Sequence, residues 1–277
     1  TRLRIAGREV RALRHGMVGE PGFEMWGPWA DNDAVHSALL EAGRKHGMVQ
    51  VGGRAYHTNA LESGWQPRPL PAIYTGDRMR PYREWLSGNA YEATSPLGGS
   101  FYSDDIEDFY VTPYDLDYGR IVRFDHDFIG REALEKIADE PHRKKVTLDW
   151  NSDDVGNIFR SLFEPGGEHY KYIDLPLSNY ASANYDKLMQ GDKVVGFSMF
   201  SGYSYNERSM LSLGTVDDDI EIGTELKLVW GEEDGGTQKT TVERPHKQAE
   251  IRAIVSPVPY SRTAREEYAE GWRTTGT

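Results

Sequence analysis

Between Lys144 and Val255 the chain carries six short runs, KKVTLDW, KVVGFSMF, SMLSLGTV, ELKLVW, KTTVE and AEIRAIV, separated by turn residues. Short strand-forming runs broken by turns in this way are the pattern of an all-β unit, a sandwich or barrel. EEDGG, between ELKLVW and KTTVE, predicts a hairpin connection.

The preceding half reads differently. Arg2 to Arg14 predicts two short strands around Ala6 and Gly7, and Phe23 to Trp26 a third, with Gly19, Pro21 and Gly22 forcing a turn between them. Asp31 or Asn32 caps a helix running to about Lys45, with Ala34, Val35, Ala38, Leu39 and Ala42 on one face and Gly43 or Gly47 near its end. Val49 to Val51 reads as a short strand. Pro67, Pro69 and Pro71 stop the helix that follows it near Trp65. Residues 72–120, rich in Tyr, Gly and Asp, predict long loops with short helices, one around Pro81 to Leu86. Phe128 to Ala138 reads as a helix opening after Ile129 and Gly130. The composition shifts at Pro141 to Lys145, which predicts two parts, 1–142 and 143–277. Strands mixed with helices, then strands alone, make the class α+β. The tail from Ser261 to Trp272 is a charged terminal helix or a loose end.

Charge narrows the function. The 44 acidic residues exceed the 32 basic ones, for a formal net charge of -12, which disfavours general affinity for nucleic acid. The sequence holds no cysteine, so disulfides, thiolate metal sites and cysteine nucleophiles are excluded. No apolar run is long enough to span a membrane and no secretory leader is recognisable, so the expectation is a soluble, cytoplasmic protein.

Chemistry concentrates in VGGRAYHTNALESGW, from Val51 to Trp65. One reading is a βα connection with glycines in a tight turn and a structural ion pair between Arg54 and Glu62. The other is a site, because an arginine, a tyrosine and a histidine follow a double glycine within four positions. Asp125, His126 and Asp127 in FDHDFIG invite a hard metal, yet consecutive residues point in different directions, and no metal is assigned. Phosphate loops, dinucleotide fingerprints and GxSxG are missing. SGYS, Ser201 to Ser204, reads as a β-turn rather than a nucleophile elbow.

HGMVGEPGFEMWGP, then VGGRAYHTNALESGW, FDHDFIGREAL, VVGFSMFSGYS and SPVPYS resemble, in order and spacing, the C-terminal two-thirds of the glycine-cleavage T-protein (aminomethyltransferase) family. The middle segment, PLPAIYTGDRMRPYREWL and GGSFYSDDIEDFYVTPYDLDYG, is similar to that of the tetrahydrofolate-dependent aryl O-demethylases acting on vanillate, 3-O-methylgallate and syringate. The resemblance implies a cloverleaf-like folate-binding fold ending in a small antiparallel β-barrel. It also implies that an N-terminal region of the same protein, about the first two-fifths, is missing, and it leaves open whether the chain is active alone. The implied cofactor is tetrahydrofolate, and the implied partner is a small aromatic methyl ether rather than nucleic acid or membrane.

The resemblance also places residues. Glu24 stands at the pterin-recognition position, where a carboxylate accepts two adjacent N–H donors side by side. Arg54 matches an arginine that holds folate or a neighbouring carboxylate, and Trp65 offers a flat face to the folate rings. Tyr56 is the catalytic candidate: a phenol can protonate the departing phenolate oxygen. His57 is a substrate-binding candidate. Aminomethyltransferases generally lack this tyrosine and carry Tyr-Thr-Gly-Glu where this chain has Met17, Val18, Gly19 and Glu20, so O-demethylation is favoured. The alternatives are a non-catalytic folate-binding module and an aminomethyltransferase of glycine cleavage.

Overall fold

The computed structural model describes residues 1–15, 22–67, 69–178, 183–236 and 245–267. The chain divides into two compact units, one of residues 1–56 and 261–277, the other of residues 57–260.

In the first unit, β1 (Arg2–Ile5) and β2 (Arg8–His15) form an antiparallel hairpin. Ala6 and Gly7 both take positive φ, 50° and 75°, the two-residue turn whose twist matches that of the strands it joins. β3 (Gly22–Trp26) pairs with β2, setting Leu13 opposite Glu24 and Ala12 opposite Met25. Residues 16–21, including the predicted turn glycine Gly19 and the Met17 to Glu20 run, lie outside the described residues. Val10 and Ala12 are buried. Helix α1 (Asn32–Arg44) half-buries Ala34, Val35, Ala38 and Leu39, while Ala42 is exposed. Asp31 occupies the N-cap position without a side-chain cap bond; its carboxylate lies 3.4 Å from Arg8 Nε instead.

Val49 to Val51 is not a strand. Val49 and Val51 are 78% and 74% exposed. A three-residue run is stable as a strand only beside a partner, and none pairs with it among the described residues. Helix α2 (Gly53–Ser63) follows directly, with the amides of Ala55 and Tyr56 donating to Gly52 O. The boundary between the two units falls inside it, after Tyr56.

The second unit takes the rest of α2, which stops at Gly64, φ 73°, a left-handed terminus that glycine adopts without strain. Next come α3 (Arg80–Trp85), α4 (Tyr91–Thr94), β4 (Leu97–Gly98) and α5 (Arg131–Ile137). The long loops between them are organised by side chains. Arg83 donates to the carbonyls of Ile73, Thr75 and Gly76, and Phe109, Leu116, Tyr185, Phe197 and Met199 share an apolar cluster.

Then come β5 (Lys144–Trp150), α6 (Ser152–Ser161), β6 (Ala183–Asn184), β7 (Asp186–Gln190), β8 (Lys193–Ser204), β9 (Ser209–Val216), β10 (Glu225–Trp230) and β11 (Ala249–Ser256). Six of them close a barrel in the order β10-β11-β5-β9-β8-β7, with every pairing antiparallel. The α+β class and the barrel agree with the sequence expectation. Two details differ. KTTVE, residues 239–243, lies outside the described residues, and the sixth strand is β7, whose DKLMQ is too polar to read as a strand. SGYS is no turn: it is the end of β8, with Ser201 and Ser204 buried. Inside the barrel Trp150 Nε1 donates to Ser212 Oγ at 2.9 Å and Ser198 Oγ to the same hydroxyl at 2.8 Å, so these enclosed polar atoms find partners, whereas the buried hydroxyls of Thr147 and Thr215 have none among the described residues.

Candidate functional site

Alternation along the hairpin sheet decides what surrounds Glu24. Directly opposed residues share a face, so Glu24 and Trp26 on β3 stand with Arg11, Leu13 and His15 of β2. The other face carries Val10, Ala12 and Met25. Among the described residues the Glu24 carboxylate has one basic side chain near it, His15 Nε2 at 4.0 Å, beyond hydrogen-bond range. Among the described residues the acceptor capacity of its carboxylate is therefore available. Beside it a groove of about 670 Å³ is lined by Arg2, Arg11, Leu13 and Trp26.

Helix α2 carries Arg54, Tyr56 and His57 in its first turns. Residues two apart on an α-helix leave it roughly 200° apart, so Arg54 and Tyr56 do not share a face, whereas Arg54 and His57, three apart, do. Tyr56 is 43% exposed and Trp65, just past the helix, 44%. Glu24, Arg54 and Tyr56 belong to the first unit, and His57 and Trp65 to the second.

The Arg54–Glu62 ion pair of the sequence reading is not formed. Eight helical residues separate Cα atoms by about 12 Å, and both Glu62 oxygens are taken elsewhere: Ser204 Oγ donates at 2.6 Å and Asn206 Nδ2 at 3.1 and 3.2 Å. Ala60 and Leu61 are fully buried against Phe200 and Leu213. The contributions of Ser204 and Asn206 were missed in the sequence because SGYS reads as a turn; its position at the end of an apolar run was the available signal.

Two further titratable clusters lie in the second unit. Tyr260 donates to Asp149 Oδ2 at 2.8 Å, and Ser209 Oγ donates to the other oxygen of that carboxylate. Burial first, then the bond to Asp149, raises the Tyr260 phenol well above its usual range. Deeper in, Lys171 Nζ lies 2.6 Å from Glu232 Oε1 and His246 Nε2 3.0 Å from Glu232 Oε2, and Asp186 accepts from the Ser100 amide at 3.2 Å. Asp125 and His126 contact each other at 2.8 Å on the surface, and among the described residues no group of three or more His, Cys, Asp or Glu is placed to hold a metal.

The GCVT N-terminal domain matches residues 1–67. Syringate O-demethylase of Sphingobium sp. (strain NBRC 103272 / SYK-6) is 50% identical over 273 residues, 98% of this chain and 59% of that protein. The chain is similar to members of the glycine-cleavage T-protein family. Sesamin methylene transferase of Sinomonas sp. (strain No.22) is 34% identical over 270 residues, 92% of this chain and 57% of its own length. An aminomethyltransferase of the family, from Saccharopolyspora erythraea, is 29% identical over 147 residues, 52% of this chain and 30% of that protein. The chain thus spans 59% of the length of the syringate O-demethylase and 57% of that of the sesamin methylene transferase. Its mixed sheets and helices with a closed antiparallel barrel fit the family's fold. No helix among the described residues is long and apolar enough to cross a membrane.

Proposed function

We propose that the protein is a tetrahydrofolate-dependent O-demethylase of a methoxylated aromatic acid of the vanillate, 3-O-methylgallate or syringate type. The observation that carries this reading is 50% identity to a syringate O-demethylase along 98% of the chain. The aminomethyltransferase alternative is supported along only 52% of it.

Each residue, taken singly, has chemistry suited to a folate. Glu24 keeps its carboxylate beyond hydrogen-bond range of His15, open to paired N–H donors of a pterin edge. Trp65 is 44% exposed and supplies a flat apolar face. Arg54 would neutralise a carboxylate of folate, and His57 would contact the substrate. Tetrahydrofolate, when bound, supplies N5 as the methyl acceptor. Tyr56, 43% exposed on α2, would give its proton to the phenolate oxygen as the aryl ether bond to the methyl carbon breaks, and the product leaves as a phenol. Residues 1–142 would do the folate binding and 143–277 form the supporting barrel, in a cytoplasmic protein.

Calorimetry with tetrahydrofolate and a demethylation assay with syringate and vanillate test the proposal. Glu24→Gln should weaken folate binding, since an amide presents one acceptor where the carboxylate presents two. Tyr56→Phe should lower turnover about 10²- to 10⁴-fold with folate affinity nearly unchanged. Equal turnover in Tyr56→Phe removes the assigned role. Folate binding without demethylation would favour the second reading, a folate-binding module, which the 59% span of the relative keeps open.

A further inference from the structure

The C-terminal half of α2 is keyed to the barrel by two kinds of contact. The first is steric. A Cβ on Gly202 of β8 would lie 2.4 Å from Pro176 O and 3.0 Å from Leu61 Cδ1, and one on Gly64 would lie 2.4 Å from Val258 Cγ2. These glycines let the helix end seat closely, with Ala60 and Leu61 on Phe200 and Leu213. Apolar contact of this kind is non-directional and leaves slide and roll weakly fixed.

The second contact is directional. Ser204 Oγ, fully buried, accepts the Glu207 amide at 3.0 Å and donates to Glu62 at 2.6 Å. A hydroxyl has one proton to give, and Glu62 receives it. Asn206, in the turn between β8 and β9, donates to both Glu62 oxygens at 3.1 and 3.2 Å. Two donors from one hairpin on one carboxylate fix the helix end along its axis and about it.

The geometry points to Glu62 as a positioning residue of the folate site. With Ser204 and Asn206 it locks the C-terminal half of α2 onto the β8–β9 hairpin, and so sets where His57 and Trp65 stand. The lock follows from the structure alone; its consequence for folate rests on the folate reading above.

The test uses the 277-residue chain and the variants Glu62→Ala, Glu62→Gln and Asn206→Ala. Amide hydrogen exchange at Ala60 to Ser63 reads the lock, and calorimetry with tetrahydrofolate reads the positioning. Glu62→Ala should exchange at least about tenfold faster there and bind tetrahydrofolate roughly ten- to hundredfold more weakly. Glu62→Gln should match the wild type in both, because its amide oxygen still accepts from Ser204 and Asn206 can turn its own carbonyl toward the new amide. Asn206→Ala should fall between, and it carries the test if Glu62→Ala does not fold. Unchanged exchange in Glu62→Ala and Asn206→Ala overturns the lock. Faster exchange with wild-type affinity overturns the positioning role. A wild-type chain that binds no tetrahydrofolate overturns the folate reading and the positioning with it, while exchange still decides the lock separately.

Discussion

Asp186 is enclosed where β7 meets the loop after β4, with Lys171 and Glu232 as its charged neighbours and the amides of Ser100 and Gly231 as donors. Burial pushes its carboxyl up to about 7 against the attraction of Lys171, and Glu232 adds to the rise. For Glu232 burial also works upward, but hydrogen bonds from His246, Lys171 and Gly99 outweigh it and hold that carboxyl far below its usual range. The two act on stability with opposite sign. Between the ordinary 3.8 of an aspartate and about 7, native Asp186 keeps a proton that the unfolded chain has shed, so stability falls as pH rises through that window. Glu232 contributes stability above its ordinary 4.5, which is lost as pH drops below that value. Urea midpoints should therefore decline from pH 5 to pH 8, and Asp186→Asn should flatten the decline, gaining roughly 1–3 kcal/mol over the wild type at pH 8. A wild-type profile that is flat or rises between pH 5 and 8 would contradict this. Nothing in DKLMQ announces such a residue, because its partners lie tens of positions away and burial, not local pattern, creates its chemistry. Glu24 and Tyr56, by contrast, are proposed through resemblance to a family, since nothing in their local pattern names a cofactor or a reaction.

Elements with their own local logic were readable. The Ala6–Gly7 turn and the register of its strands follow from backbone freedom, the stop of α2 from Gly64 and the prolines behind it, and five barrel strands from clustered apolar residues. β7 and α6 were missed for opposite reasons. β7 is polar yet enclosed between β8 and β10, and α6 is a short amphipathic insert whose N-cap, Asn151, accepts the amides of Asp153 and Asp154. Val49 to Val51 had the residues of a strand but no partner strand among the described residues. Gly202 is the sharpest case: inside SGYS it looks like turn punctuation, and in the barrel it is the hollow that admits Leu61. Gly202→Ala should cost about 1–3 kcal/mol by overpacking against Pro176 O and Leu61, read as a lower denaturation midpoint with an unchanged slope. A midpoint equal to the wild type would show that the seat has slack.

At the scale of the molecule, composition excluded more than it assigned. A formal charge of -12 and no cysteine disfavour nucleic acid binding and exclude thiol chemistry, but field at a pocket is set by local residues. The resemblance to the family came from ordered motifs; in the structure Glu24 is half-exposed on a hairpin sheet, Tyr56 lies on α2, and Glu62 near the end of that helix is bonded to the β8–β9 hairpin. O-demethylation itself is tested by a paired product assay, in which protein is given syringate and tetrahydrofolate and both the freed phenol and 5-methyltetrahydrofolate are quantified. One phenol per methylated folate, falling about 10²- to 10⁴-fold in Tyr56→Phe, is the predicted result. Phenol release that needs no folate, or turnover that Tyr56→Phe leaves intact, would contradict it.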